Sequence, residues 1–357
     1  MLNSLQVWMP GQRATPEVLW LGAQPLCPPN LQRLGHVAFR VSLTRRPLRT
    51  FHPRITRSGP VLERPITTKS TAWPMSSFLP VGLGWQPDLP DPRDWTLEIE
   101  EVIELLEPLP ASDSPPDRVD WREYCGPVAN QGELHTSPAH ACVGLLQYFE
   151  RRALGRNIEP SALFVHAAAQ RLLKQRAECS GQLRATWKAI ALLGVASEHD
   201  WPYQPERLHT EPDAFSFAAA RRFESLNYVR LDARSQAGDQ TLAIVRSMLA
   251  AGFPSVLGFP VCTSVSREPE ISFPTVFDQT RGGHSVVAVG YDNKRRLRSH
   301  KGALLVRNSW GEEWGDGGYG WLPYQYVREQ LAVDFWTLVR PQWLESGEFQ
   351  RPHNFPA

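Results

Sequence analysis

The chain has 357 residues, 42% of them hydrophobic, and a formal net charge of +1. This is enough for one large domain or two ordinary ones, and the composition fits a soluble globular protein. No run of about 18 apolar residues occurs, so no membrane span is expected.

The first 75 residues differ from the rest. They hold ten Lys or Arg against two acidic residues, Glu17 and Glu63, a local charge of +8 that leaves −7 for the remainder. Prolines interrupt them and no helical or strand period persists, so they are expected to form a disordered basic leader. Nor does a basic stretch run into a continuous apolar core, so no signal peptide is read. Residues 76–116 are a bridge or propeptide-like arm. Within it Gly82-Leu83-Gly84-Trp85-Gln86-Pro87-Asp88-Leu89-Pro90-Asp91-Pro92-Arg93-Asp94 is extended and turn-rich. A short acidic helix is expected over Trp95 to Leu106.

The folded domain is expected over 117–345, with a C-terminal tail over 346–357. Val119 to Arg122 reads as a short extended lead-in. Asn130-Gln131-Gly132 is a turn, and a helix is expected from Pro138 to Leu154. Proline is tolerated in the first helical turn, where no intrahelical N–H bond is lost. Apolar residues at Ala141, Leu145, Leu146, Phe149 and Ala153 make a stripe, and Gly155 can end the helix. Two more helical patterns cover Pro160 to Leu173 and Leu183 to Leu193. After residue 194 the period changes. Strands are expected over 228–231, 255–259, 285–289, 303–307 and 318–322, with a helix from Leu242 to Ala251. A helical half followed by an antiparallel half indicates an α+β fold of two lobes with a cleft between them.

Three blocks carry chemistry. In the first, Gln131 can aim an amide at an oxyanion, and Ser137 starts a helix whose N–H groups and dipole favour negative charge. In the second, Gly282-Gly283-His284, a histidine heads an apolar strand and two glycines let another backbone approach. In the third, Asn308-Ser309-Trp310-Gly311, Asn308 can bond an imidazole N–H without adding charge, and Trp310 can cover that bond. Trp314 and the glycines after it read as structural.

Together and in this order, the blocks resemble the papain-like cysteine peptidases, over about residues 84 to 340. The resemblance implies a helical left lobe, a barrel-like antiparallel right lobe and thiol-dependent peptide hydrolysis in the cleft. It implies no metal or organic cofactor. Carried over by position, Gln131 is the oxyanion glutamine, His284 the catalytic histidine, Asn308 its orienting partner and Trp310 the shielding indole on the substrate side. The nucleophile position, however, is Ser137. A hydroxyl is a far weaker acid than a thiol, and a helix start beside an imidazole cannot pre-ionise it. The expectation is a pseudopeptidase that keeps a peptide-binding cleft. The alternatives are an active peptidase, through Ser137 itself or a sequence error at 137, and an interaction protein acting through its basic leader. Cys142 offers no rescue, since five residues on is about 500° of helical rotation. The cysteines (27, 125, 142, 179 and 262) include no Cys-x-x-Cys pair, which speaks against a zinc site or a dense disulfide framework and for a cytoplasmic setting. Peptides or proteins are the expected partners, and nucleic acid is not.

Overall fold

The computed structural model describes residues 82–107, 115–223, 225–233 and 236–351. The expected basic leader, and whatever it would bind, lies outside them.

The helices are α1 Glu100–Leu106, α2 Ser137–Leu154, α3 Ala162–Leu173, α4 Leu183–Leu193, α5 Ala214–Ala219, α6 Gly238–Ala250, α7 Gln325–Arg328 and α8 Pro341–Leu344. The strands are β1 Arg118–Asp120, β2 Asn227–Arg230, β3 Ser255–Cys262, β4 Thr280–Leu297, β5 His300–Arg307, β6 Tyr319–Pro323 and β7 Val333–Val339. The strands form one antiparallel sheet in the order β2-β7-β3-β4-β5-β6, with β1 pairing β4. Helices α2, α3 and α4 pack on one another, and α2 also lies against β4. The result is the expected α+β arrangement, a helical part beside a sheet.

α2 begins at Ser137 and ends at Gly155, whose φ is +60°. The expected stripe is buried, but so is nearly everything else on this helix, including Cys142 at 0% exposure. The reason is position: α2 is wedged between the other helices and the sheet, so both of its faces are interior. α1 is shorter than expected, because its first turn begins only at Glu100. α3 starts after Ser161, whose hydroxyl accepts the Phe164 N–H, a side-chain cap that fixes its first turn.

One central strand escaped the sequence reading. β7 sits between β2 and β3 and is buried along almost its whole length. A strand covered on both faces loses the alternation by which strands are recognised. The short α5, capped by Asp213, was also not expected.

Candidate active site

Three of the expected site residues stand at or next to the end of an element. Ser137 opens α2, His284 lies near the start of β4 opposite Phe259 of β3, and Asn308 follows β5 directly. Gln131 lies in the turn before α2. The Gln131 N–H donates to the Ser309 carbonyl at 2.8 Å, and Asn130 bridges to Trp310. These links bind the glutamine turn to the segment after β5, so three distant stretches of chain meet.

His284 Nε2 lies 2.7 Å from Asn308 Oδ1, which also accepts the Ser309 N–H at 2.8 Å. An amide oxygen with two donors is fixed as an acceptor, which places the imidazole proton on Nε2 and leaves Nδ1 as a base. Trp310 stacks on the imidazole with centroids 4.5 Å apart, and Trp314 meets Trp310 edge-on at 5.3 Å. The indole thus covers the histidine–asparagine bond. Burial pushes the His284 pKa down to about 4, against the pull of its bond to Asn308. The imidazole is therefore neutral at neutral pH.

Ser137 sits within this group but is not coupled to the base. Its Oγ accepts the Ser285 N–H at 3.2 Å, while His284 Nδ1 has no hydrogen-bond partner. Both residues are fully buried. Gln131 is held as a donor: its Oε1 accepts the Ser309 hydroxyl at 2.6 Å, and its Nε2 donates to Leu134 O at 2.8 Å and to Gly82 O at 2.7 Å.

That last bond shows what covers the site. The arm from Gly82 to Gln86 lies along it as an extended backbone. Gly82 N–H donates to Gly132 O at 2.8 Å, and the N–H groups of Gly84 and Trp85 both donate to Gly283 O, at 2.9 and 3.0 Å. On the helical side, Gly181 N–H donates to Gly84 O at 2.7 Å and Gln86 N–H to Gly181 O at 2.9 Å, a parallel bridge. The Trp85 side chain is buried and its indole N–H donates to Asp334 Oδ2 at 3.1 Å. Two glycines make this seat. A Cβ on Gly258 would stand 1.9 Å from the Trp85 ring, and one on Gly283 would stand 2.3 Å from Trp85 O. The glycines before His284 do admit another backbone, and that backbone is the chain's own arm.

The sequence reading missed Gly258, Asp334 and the seat of Trp85. None has a local signature; each matters only through what packs against it. Cys142, buried within α2, has a thiol held well above its usual range by burial. Among the described residues, no group of three or more His, Cys, Asp or Glu is placed to hold a metal ion. Nor is any helix there long and apolar enough to cross a membrane.

The family described as papain family cysteine protease matches residues 115–331. An uncharacterized peptidase C1-like protein of Acanthamoeba polyphaga mimivirus is 33% identical over 218 residues, covering 58% of this chain and 68% of that protein. Testin-2 of Rattus norvegicus is 28% identical over 214 residues, covering 57% of this chain and 59% of that protein. Among solved structures, xylellain, a cysteine protease from Xylella fastidiosa, aligns with a TM-score of 0.59 at 26% identity over 73% of this chain and 97% of that one. A digestive procathepsin L2 proteinase from Tenebrio molitor shares the fold, with a TM-score of 0.55 at 20% identity over 73% and 78% of the two chains.

Proposed function

The chain belongs to the papain family of cysteine proteases, and from that premise we propose that it binds extended peptide in the family's cleft while hydrolysing it poorly or not at all. One observation carries the reading: the cleft holds a peptide, the Gly82–Gln86 arm, by backbone hydrogen bonds on both sides, with its Gly82 carbonyl on the Gln131 amide. The retained machinery is thus engaged in holding. Gln131 serves as a carbonyl donor, Asn308 orients His284, and Trp310 shields their bond.

Ser137 is the residue that withholds chemistry. Its hydroxyl accepts a backbone N–H and makes no bond to His284 Nδ1. Deprotonation would have to occur during attack, with a neutral carboxamide rather than a carboxylate behind the imidazole. Serine-type hydrolysis is the second reading, and one feature favours it: Nδ1 is unprotonated and without a partner.

The reading predicts capture in trans. A fluorescein-labelled peptide of the sequence 82–94, added to full-length chain whose own arm has been loosened by Trp85→Ala, is expected to bind saturably by fluorescence anisotropy. The peptide should stay intact by mass spectrometry. Gln131→Ala should weaken capture by about tenfold, the worth of one buried hydrogen bond. Absence of saturable binding, or rapid cutting of general peptide substrates by the same preparation, would count against the proposal.

A further inference from the structure

Six charged side chains meet where the arm is pinned. The body contributes Arg184 in the first turn of α4, Arg230 at the end of β2, Asp232 just after it and Asp334 in β7. The arm contributes Asp88 and Asp94. Arg184 Nε and Nη2 each reach an Asp94 oxygen at 2.6 Å. Arg230 spans Asp232 at 3.1 Å, Asp334 at 2.8 Å and Asp94 at 3.4 Å. Asp334 Oδ2 accepts both the Trp85 indole N–H and the Asp88 backbone N–H, the latter at 2.8 Å. Asp88 Oδ2 accepts the Arg184 backbone N–H at 3.0 Å, but its Oδ1 has no hydrogen-bond partner, only an ion-pair contact with Arg184 Nη1 at 3.8 Å. The backbone at Asp334 is itself strained, at φ +58°, and is held there by Asp232, which accepts the N–H groups of Asp334 and Phe335.

The charges do not balance. The body alone brings two guanidiniums and two carboxylates. The docked arm adds two carboxylates and no cation, since its Arg93 is exposed and turned to Asp91. Of the other titratable groups near the cluster, the Cys142 thiol of α2 and the Tyr228 phenol of β2 are neutral, and the exposed Lys188 of α4 lines the outer rim with Asp94 and Arg184. The side chain of Asp88 is fully buried and that of Asp334 is 1% exposed. The buried carboxylates outnumber the guanidiniums among them, and an excess of negative charge in so dry a place is most readily relieved by a proton.

We propose that docking of the arm is proton-linked: the arm clamps the cleft while Asp88 and Asp334 share a proton, and it lifts as both ionise. Burial first, and then the charge of Asp334, raises Asp88 to about 7; burial raises Asp334 to about 6. With the arm lifted, Asp88 returns to water and to an ordinary carboxylate value of about 3.9. The docked state therefore binds more protons than the lifted one between about pH 4 and 7. The stabilisation is complete below that window and is lost as pH rises through it. This regulation rests on the arm's place in the cleft and not on whether Ser137 attacks.

The test is amide hydrogen exchange of the full-length chain, with each rate divided by that of an unstructured peptide at the same pH. From pH 5 to pH 8 the protection of the Gly84, Trp85 and Gln86 amides should fall at least tenfold, while that of the β4–β5 amides holds. Asp88→Asn keeps an acceptor for the Arg184 N–H but removes the charge, so its arm should show no such fall. If that variant leaves the arm undocked at every pH, Asp334→Asn supplies the second neutralised pair, with the same flat profile expected. Arm protection in the native chain that is constant or rising with pH overturns the proposal, as does a native slope surviving in the neutralised variant. Neither result bears on peptide capture, which is read separately in the Trp85→Ala chain.

Discussion

In a chain whose arm has been lifted, Ser137→Cys is expected to raise turnover of peptide substrates at least about a thousandfold over the serine parent, in line with the cost of losing a nucleophile elsewhere. The surroundings that a thiolate needs are already built. Position 137 begins an 18-residue helix, and Thr136 places no side-chain cap over its N–H groups. His284 Nδ1 is free and Asn308 holds the ring. The largest cause of the low His284 pKa is burial, and the arm is hydrogen-bonded to Gly283, the residue before His284. Lifting it lets the imidazole return towards its ordinary value, where it can pair with a thiolate. A hydroxyl gains nothing comparable, because its own pKa lies too far away. The comparison is made on general peptide substrates, with both chains carrying Gly258→Val. Equal turnover by the serine and cysteine chains would show that Ser137 is a working nucleophile.

Gly258→Val is expected to expel the front of the arm and leave the sheet intact. A Cβ there falls 1.9 Å from the Trp85 ring, far inside van der Waals contact. Gly258 belongs to β3, which is hydrogen-bonded to β4 on one side and β7 on the other, so the strand cannot retreat. The arm can leave, since it crosses the cleft as a single extended segment. Overpacking of this kind costs about 1–3 kcal/mol, and loss of the buried indole adds about 2–3 kcal/mol. Docking should weaken by a hundredfold or more. The amides of Gly84 to Gln86 should then exchange nearly freely, while α1, anchored separately through Val102 at 0% exposure, stays protected. Trp85→Ala should act in the same direction without touching the sheet. An arm that stays fully protected in both variants would mean that Trp85 does not hold it.

How much of this was legible beforehand depends on where each signal resides. Ser137, Gln131, His284 and Asn308 could be read because each sits in a short motif at the end of an element, and the ends of α2, β4 and β5 converge. The α+β organisation was visible in the change of period after residue 194. β7 was hidden because burial on both faces erases alternation, and with it went Asp334, whose importance lies in what it accepts from Trp85 and Asp88. The 82–94 stretch was read as extended and turn-rich, but that pattern says nothing about destination. Only the empty space over Gly258 and Gly283 assigns it to the cleft. The excess of carboxylates was equally out of reach, since Asp88, Asp94, Asp232 and Asp334 are spread over nearly the whole domain.

The central claim is that Ser137 sits in an inherited site without being activated by it. The most direct measurement is covalent labelling of the Gly258→Val chain with a fluorophosphonate, which phosphonylates a serine hydroxyl with loss of fluoride only when a neighbouring base activates it, followed by mass spectrometry of the peptide spanning 137. The expected result is an unmodified Ser137 under conditions that label an authentic serine hydrolase completely. A stoichiometric adduct on Ser137, abolished by His284→Ala, would contradict the account.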